Sequence, residues 1–156
     1  MSQVLDEVNN AIKLLNLETE VLLVPNGEVI YRSLIDSFVE GGDRRWWWES
    51  FSKPSESITF DDGKGFERLC QFVPNTNEIV WFVVEDDQLP YYPIFEATPE
   101  NVVKIIGECF AFEYYLVAKD KSWLLCENHH SRIIGIGDSV VQSIEQSNIY
   151  QVLPTH

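Results

Sequence analysis

Hydrophobic and polar positions alternate most regularly between Phe110 and Gly137, in the run FAFEYYLVAKDKSWLLCENHHSRIIGIG. A period of two over several residues is the mark of a β-strand. Phe112 to Ala118 places Tyr114, Leu116 and Ala118 on one face and Glu113, Tyr115 and Val117 on the other. Lys119-Asp120-Lys121 breaks the pattern at hairpin length. Trp123, Leu125, Glu127 and His129 then line one face of a second strand, with Leu124, Cys126, Asn128 and His130 opposite. Asn128 to Ser131 forms a second turn, and Arg132 to Ile136 a third strand. Ser139 with Gln142 three residues on makes a capping box that opens a helix carrying Ile144 on its apolar side. This predicts a three-stranded meander closed by a helix.

The rest of the chain mixes the two periods. Val4, Leu5, Val8, Ile12 and Leu15 recur at helical spacing over Ser2 to Asn16. Val21 to Val24 fits a short strand. Asn26 can cap a second helix with a stripe of Ile30, Leu34, Ile35 and Phe38, stopped by Gly41-Gly42. Ser57 to Phe60 is a short strand, Asp61-Asp62-Gly63-Lys64-Gly65 a turn, and Phe66 to Val73 one or two helical turns. Glu78 to Val84 is apolar enough for a central strand. Tyr91 to Ala97 is a further strand, and Pro90 and Pro93 give it an edge character. Thr98-Pro99-Glu100 starts a helix buried through Val102, Ile105, Ile106 and Cys109. Ile149 to His156 is expected as a short tail. The sum is an α+β chain forming a single domain over residues 1–156, a mainly antiparallel sheet with helices packed at its face and ends.

Composition narrows the classes. Hydrophobic residues at 45% and aromatics at 13% exclude a disordered chain. No apolar run approaches the roughly 18 residues of a membrane helix, and MSQVLDEVNN has no apolar signal-peptide core. Cys70, Cys109 and Cys126 form no C-x-x-C pair and sit among apolar residues, as reduced core thiols of a cytoplasmic protein do. The net charge of −14 repels phosphate backbones and anionic lipid headgroups and attracts cations. It serves plain solubility as well as a cationic partner.

Candidate chemistry follows from a few clusters. Arg44-Arg45-Trp46-Trp47-Trp48 mixes arginine with aromatics in a way that can clamp single-stranded nucleic acid. The acidic field argues against that and for core packing or a protein contact, with one or two of the tryptophans buried. Asp61-Asp62-Gly63-Lys64-Gly65 lacks the ligand ladder of an EF-hand and the full phosphate-binding loop motif, so a turn is expected. Glu85-Asp86-Asp87 at a strand end suits a solvated turn, a hard metal or a basic partner. Glu127-Asn128-His129-His130 suits a polar turn, a partner contact or acid–base chemistry. Cys126 adjoins the histidines but stands beside leucines, where a thiol is unreactive. No cofactor and no resident metal is implied by these motifs.

Trp81-Phe82 before Glu85-Asp86, the helix into Glu113-Tyr114-Tyr115, and Trp123-Leu124 before Glu127-Asn128-His129-His130 together resemble a small uncharacterised family of bacterial α+β proteins. That group is similar in style to the SMI1/KNR4-type (SUKH) immunity proteins of polymorphic toxin systems. The resemblance spans Ile79 to Gly137 and implies a non-catalytic binder.

The expected function is an acidic cytoplasmic protein-binding module, an immunity protein that neutralises a basic toxin by docking on it. Glu85, Asp86, Asp87, Asp61, Asp62, Trp46, Trp47, Glu127, His129 and His130 are the expected contacts, and Tyr91 and Tyr92 further exposed aromatics. The partner is a basic protein rather than nucleic acid or membrane, and the chain itself a monomer or weak homodimer. The alternative is a hydrolase or metal-dependent enzyme using Glu127, His129 and His130 with a carboxylate from Glu85 to Asp87.

Overall fold

The computed structural model describes residues 3–42 and 47–152. Seven strands form one sheet: β1 (Leu22–Leu23), β2 (Ser55–Thr59), β3 (Val80–Val84), β4 (Ile94–Ala97), β5 (Tyr114–Val117), β6 (Leu124–Glu127) and β7 (Arg132–Ile136). Their order is β1-β4-β3-β5-β6-β7-β2, and every neighbouring pair is antiparallel. The predicted meander is present as β5-β6-β7. β4 is not an edge strand, because β1 pairs along its outer side and Pro93 stands just before it, where no ladder N–H is needed.

Helices cover both faces of the sheet. On one face lie α1 (Gln3–Leu14), α3 (Pro99–Gly107), α4 (Asp138–Val152) and a 3-10 segment, Gly65–Gln71. Val8, Ile12, Leu69, Val102, Ile105, Val140 and Ile144 meet Phe82, Tyr114, Leu116, Leu125 and Ile133 there. On the other face α2 (Gly27–Phe38) brings Tyr31, Leu34 and Phe38 against Val83, Tyr115, Val117, Leu124 and Cys126. β5 is therefore buried on both sides. Its residues alternate between two apolar layers rather than between core and water, which is uncommon for an antiparallel sheet.

Local chemistry sets the helix ends. Thr98 Oγ1 accepts from the Asn101 amide at 3.3 Å with Pro99 in the first turn, as expected. Asn26 occupies the cap position of α2 without a side-chain bond. The predicted Ser139 capping box is absent: α4 begins at Asp138, so Ser139 lies inside it. α4 also continues to Val152 and takes in the first half of the expected tail; residues 153–156 fall outside the described region. Gly135 lets α4 settle on β7, since a Cβ there would stand 2.3 Å from Val140 Cγ1.

Trp47 to Glu49 is a 3-10 turn. Trp47 is 0% exposed, stacks on Tyr92 at a ring-centroid separation of 5.6 Å and meets Tyr115 in a tilted contact at 4.7 Å. Trp48 is half-buried, and Trp46 lies outside the described residues.

Candidate functional site

The strand register gathers separated motifs at one end of the sheet. β3 ends at Val84, opposite Tyr114 where β5 begins; Tyr114 faces Glu127 where β6 ends. Glu127 faces Ile133 near the start of β7, and Arg132 faces Thr59 at the end of β2. The segments that continue from these ends are Glu85 to Asp87, Ala111 to Glu113, Asn128 to Ser131 and Asp61 to Gly65. The three acidic or histidine-bearing motifs of the sequence thus share one rim, although more than sixty residues separate the first from the last. Carboxylates of Asp61, Asp62, Glu85, Asp86, Asp87, Glu113 and Glu127 there outnumber the cations of Lys64, Arg68 and Arg132.

The alternation of β6 stops at Glu127, so Glu127 and His129 do not share a face as a continued strand would require. Asn128 organises the turn: its Oδ1 accepts from the amides of His130 and Arg132 at 2.9 and 3.2 Å. Ser131 takes a positive φ of 60°. The His129 amide and Nδ1 both approach Glu113 Oε2 at 2.7 Å. The rings of His129 and His130 lie 3.9 Å apart and both meet Trp48 edge-on, at 5.7 and 5.9 Å. Both histidines are exposed, and Trp48 stands behind them.

Glu113 is only 7% exposed and is hydrogen-bonded to Glu85 as well as His129. Burial raises the Glu85 carboxyl, and the bond and charge of Glu113 raise it further, to about 8. Burial also pushes Glu113 up, but the hydrogen bonds from Glu85 and His129 outweigh it and hold this carboxyl below its ordinary value. The pair keeps one proton, and the donors decide where it resides. Glu113 receives two N–H contacts, whereas Glu85 has the Tyr92 hydroxyl at 3.1 Å. Desolvation and the nearby carboxylates Glu85 and Asp87 push the Tyr92 phenol above its usual range.

Glu127 faces the other way. Its Oε1 accepts from the Tyr114 hydroxyl at 2.7 Å, and burial raises its carboxyl above the ordinary value against that hydrogen bond. It lines a cavity of about 340 Å³ with Phe66, Ile106, Cys109, Phe112, Glu113, Asn128 and His129. Cys126 is buried, and desolvation and the Glu113 charge hold its thiol well above the usual range, so it offers no thiolate to His130. Cys109 is raised to about 11 by burial and by Glu7 and Glu108.

Not every expected contact is accessible. Asp86 is 3% exposed and spends Oδ1 on the Gln88 amide. Tyr92 and Trp47 are interior aromatics, so neither meets a partner directly. Asp62 is exposed but paired with Arg68 at 2.5 Å, and its Oδ1 also accepts from the Lys64 amide, which confirms the expected turn. The Arg68 hydrogen bond, then the Lys64 amide, hold its carboxyl far below the usual range. Asp61, Asp87, His129 and His130 are open to solvent. Glu113, Tyr114 and Phe66 are not among the expected contact residues, although an acid at an inward position of an aromatic strand is the available signal for Glu113.

Among the described residues no three His, Cys, Asp or Glu side chains converge as a metal site, and no helix is long and apolar enough to cross a membrane. No curated protein and no solved structure matches the chain. A family model does match, over residues 2–148, and covers the whole of the stretch from Ile79 to Gly137. That match makes no connection with the SMI1/KNR4-type proteins. Its description, Family of unknown function (DUF6756), names the family to which this chain belongs.

Proposed function

We propose that the protein is an acidic cytoplasmic module that docks a basic protein through the end of the sheet formed by Asp61 to Gly65, Glu85 to Asp87 and Glu127 to Ser131. The observation that carries this reading is the convergence of those segments, remote in sequence, around the exposed His129, His130 and the half-buried Trp48. Acidic groups steer a cationic partner, and the aromatic and imidazole rings offer desolvated contact once it arrives. An immunity protein that occludes a basic toxin fits this surface, in line with the likeness in style between the family these short motifs resemble and the SMI1/KNR4-type proteins.

The hydrolytic alternative draws on Glu127 and His129 sharing a cavity wall. Each already has a structural partner, Tyr114 for one and Glu113 for the other, and this favours binding.

Affinity capture at low and high salt, followed by reconstitution with the purified retained protein, tests the docking reading. One stoichiometric basic protein is expected, bound at least about tenfold more weakly by Asp61→Lys/Asp87→Lys, since rim charges act mainly on association. An affinity indifferent to both salt and these substitutions overturns it.

A further inference from the structure

The cavity beside Glu127 has a composition of its own. Phe66, Ile106, Phe112 and Tyr114 line it with Glu127, and Glu113 borders it with its carboxylate engaged by His129 and Glu85. No lysine or arginine lines it, and the His129 ring is held by Glu113. Glu127 engages Tyr114 through Oε1, and Oε2 has no hydrogen-bond donor among the described residues. Gly65 makes room for that oxygen: a Cβ there would lie 3.0 Å from Oε2. At about 340 Å³, the space lies near the lower end of the roughly 300–1,000 Å³ typical of ligand sites. It suits one long side chain.

A carboxylate lining a cavity rich in aromatic side chains selects for a flat cation. Guanidinium is planar, weakly hydrated, stacks on aromatic faces and presents paired donors to a carboxylate; ammonium does none of these as well. We propose that this cavity receives one arginine side chain of the basic partner, with Glu127 as its anchor and Phe66 and Phe112 as its walls. This rests on the docking reading and gives it a defined centre.

The probe is N-acetyl-arginine amide, titrated into the isotopically labelled full chain and followed by amide shifts of residues 127–131. Saturable shifts confined to the cavity are expected, absent with the isosteric but neutral citrulline derivative. Glu127→Gln keeps an acceptor for Tyr114 and should weaken binding at least about tenfold, as loss of a charged hydrogen-bond partner does. Ala111→Trp, at an exposed position on the cavity wall, should block entry without touching the core. Equal binding of citrulline, tighter binding of the lysine analogue, shifts elsewhere, or none at all would each overturn the proposal. The two readings separate cleanly. If Glu127→Gln leaves partner affinity intact while Asp61→Lys/Asp87→Lys lowers it, the arginine pocket falls and docking stands. If arginine amide binds the cavity while partner affinity ignores salt and rim charge, docking falls.

Discussion

Glu113 and Glu127 are the same residue type at the same end of the sheet, one strand apart and on opposite faces. Glu113 sits in a closed network of Glu85, Tyr92 and His129. Glu127 has one neutral partner and lines a cavity. A buried carboxylate with a full set of donors fixes local structure, and removing it leaves those donors stranded. A carboxyl with spare acceptor capacity beside empty space is available to a ligand. The first holds the His129-His130 turn in place, and the second is the group that turn helps to frame.

The sharpest way to break this contrast is to delete each acid in turn. Glu113→Ala should lower unfolding free energy by about 3 kcal/mol, the cost of leaving buried charged-group partners without their acceptor. Urea denaturation measures it, and loss of the His129 and His130 ring contacts with Trp48 should appear in tryptophan fluorescence. A loss below about 1 kcal/mol would place Glu113 with ordinary surface acids.

A pH titration sharpens the same point. The folded Glu85 carboxyl keeps its proton up to about 8, whereas the unfolded one has lost it above its ordinary value of 4.5. The folded state therefore binds more protons in that interval, and rising pH removes stability through it. The slope from this carboxyl is at most about 1.4 kcal/mol per pH unit. Glu113, held low, acts with opposite sign and below 4.5, so it does not cancel this window. The groups facing Glu85 are Glu113, Asp87, Tyr92 and, across the network, His129 and Tyr115. Glu85→Gln should flatten the profile between pH 5 and pH 8; an unchanged slope would remove Glu85 as its source.

The smallest effect belongs to Glu127. Glu127→Gln retains an acceptor for Tyr114, so stability should change by less than about 1 kcal/mol. A larger loss in the same denaturation experiment would mean that Glu127 is as structural as Glu113, and the comparison would collapse.

Much of the fold is legible in local pattern. Thr98-Pro99 announces α3, and the alternation from Tyr114 to Leu125 assigns each side chain to the face it occupies. The sequence also shows that Trp46 to Trp48 cannot all be exposed, and Trp47 proves fully buried. What local pattern does not contain is adjacency. Nothing near Ser55 says that β2 pairs with β7, and that pairing alone carries Asp61 and Asp62 to the histidine turn. Nothing near Glu85 says that Glu113 will lie against it, because the contact depends on β3 and β5 becoming neighbours. The interior position of Asp86 and Tyr92 has the same origin: an acidic, tyrosine-rich loop reads as solvated until a core forms beneath it.

The same placement of β2 has a consequence for the chain while it is being made. Among the described residues, the strand at 55–59 pairs only with 132–136. Ribosomes add roughly 5–20 residues per second, so the segment carrying Ile58 waits several seconds with its ladder unpaired. The β5-β6-β7 hairpins, joined by short turns, can form as soon as they emerge and offer β7 as a template. The acidic rim is therefore among the last parts of the molecule to exist, assembled only when a late hairpin collects an early strand.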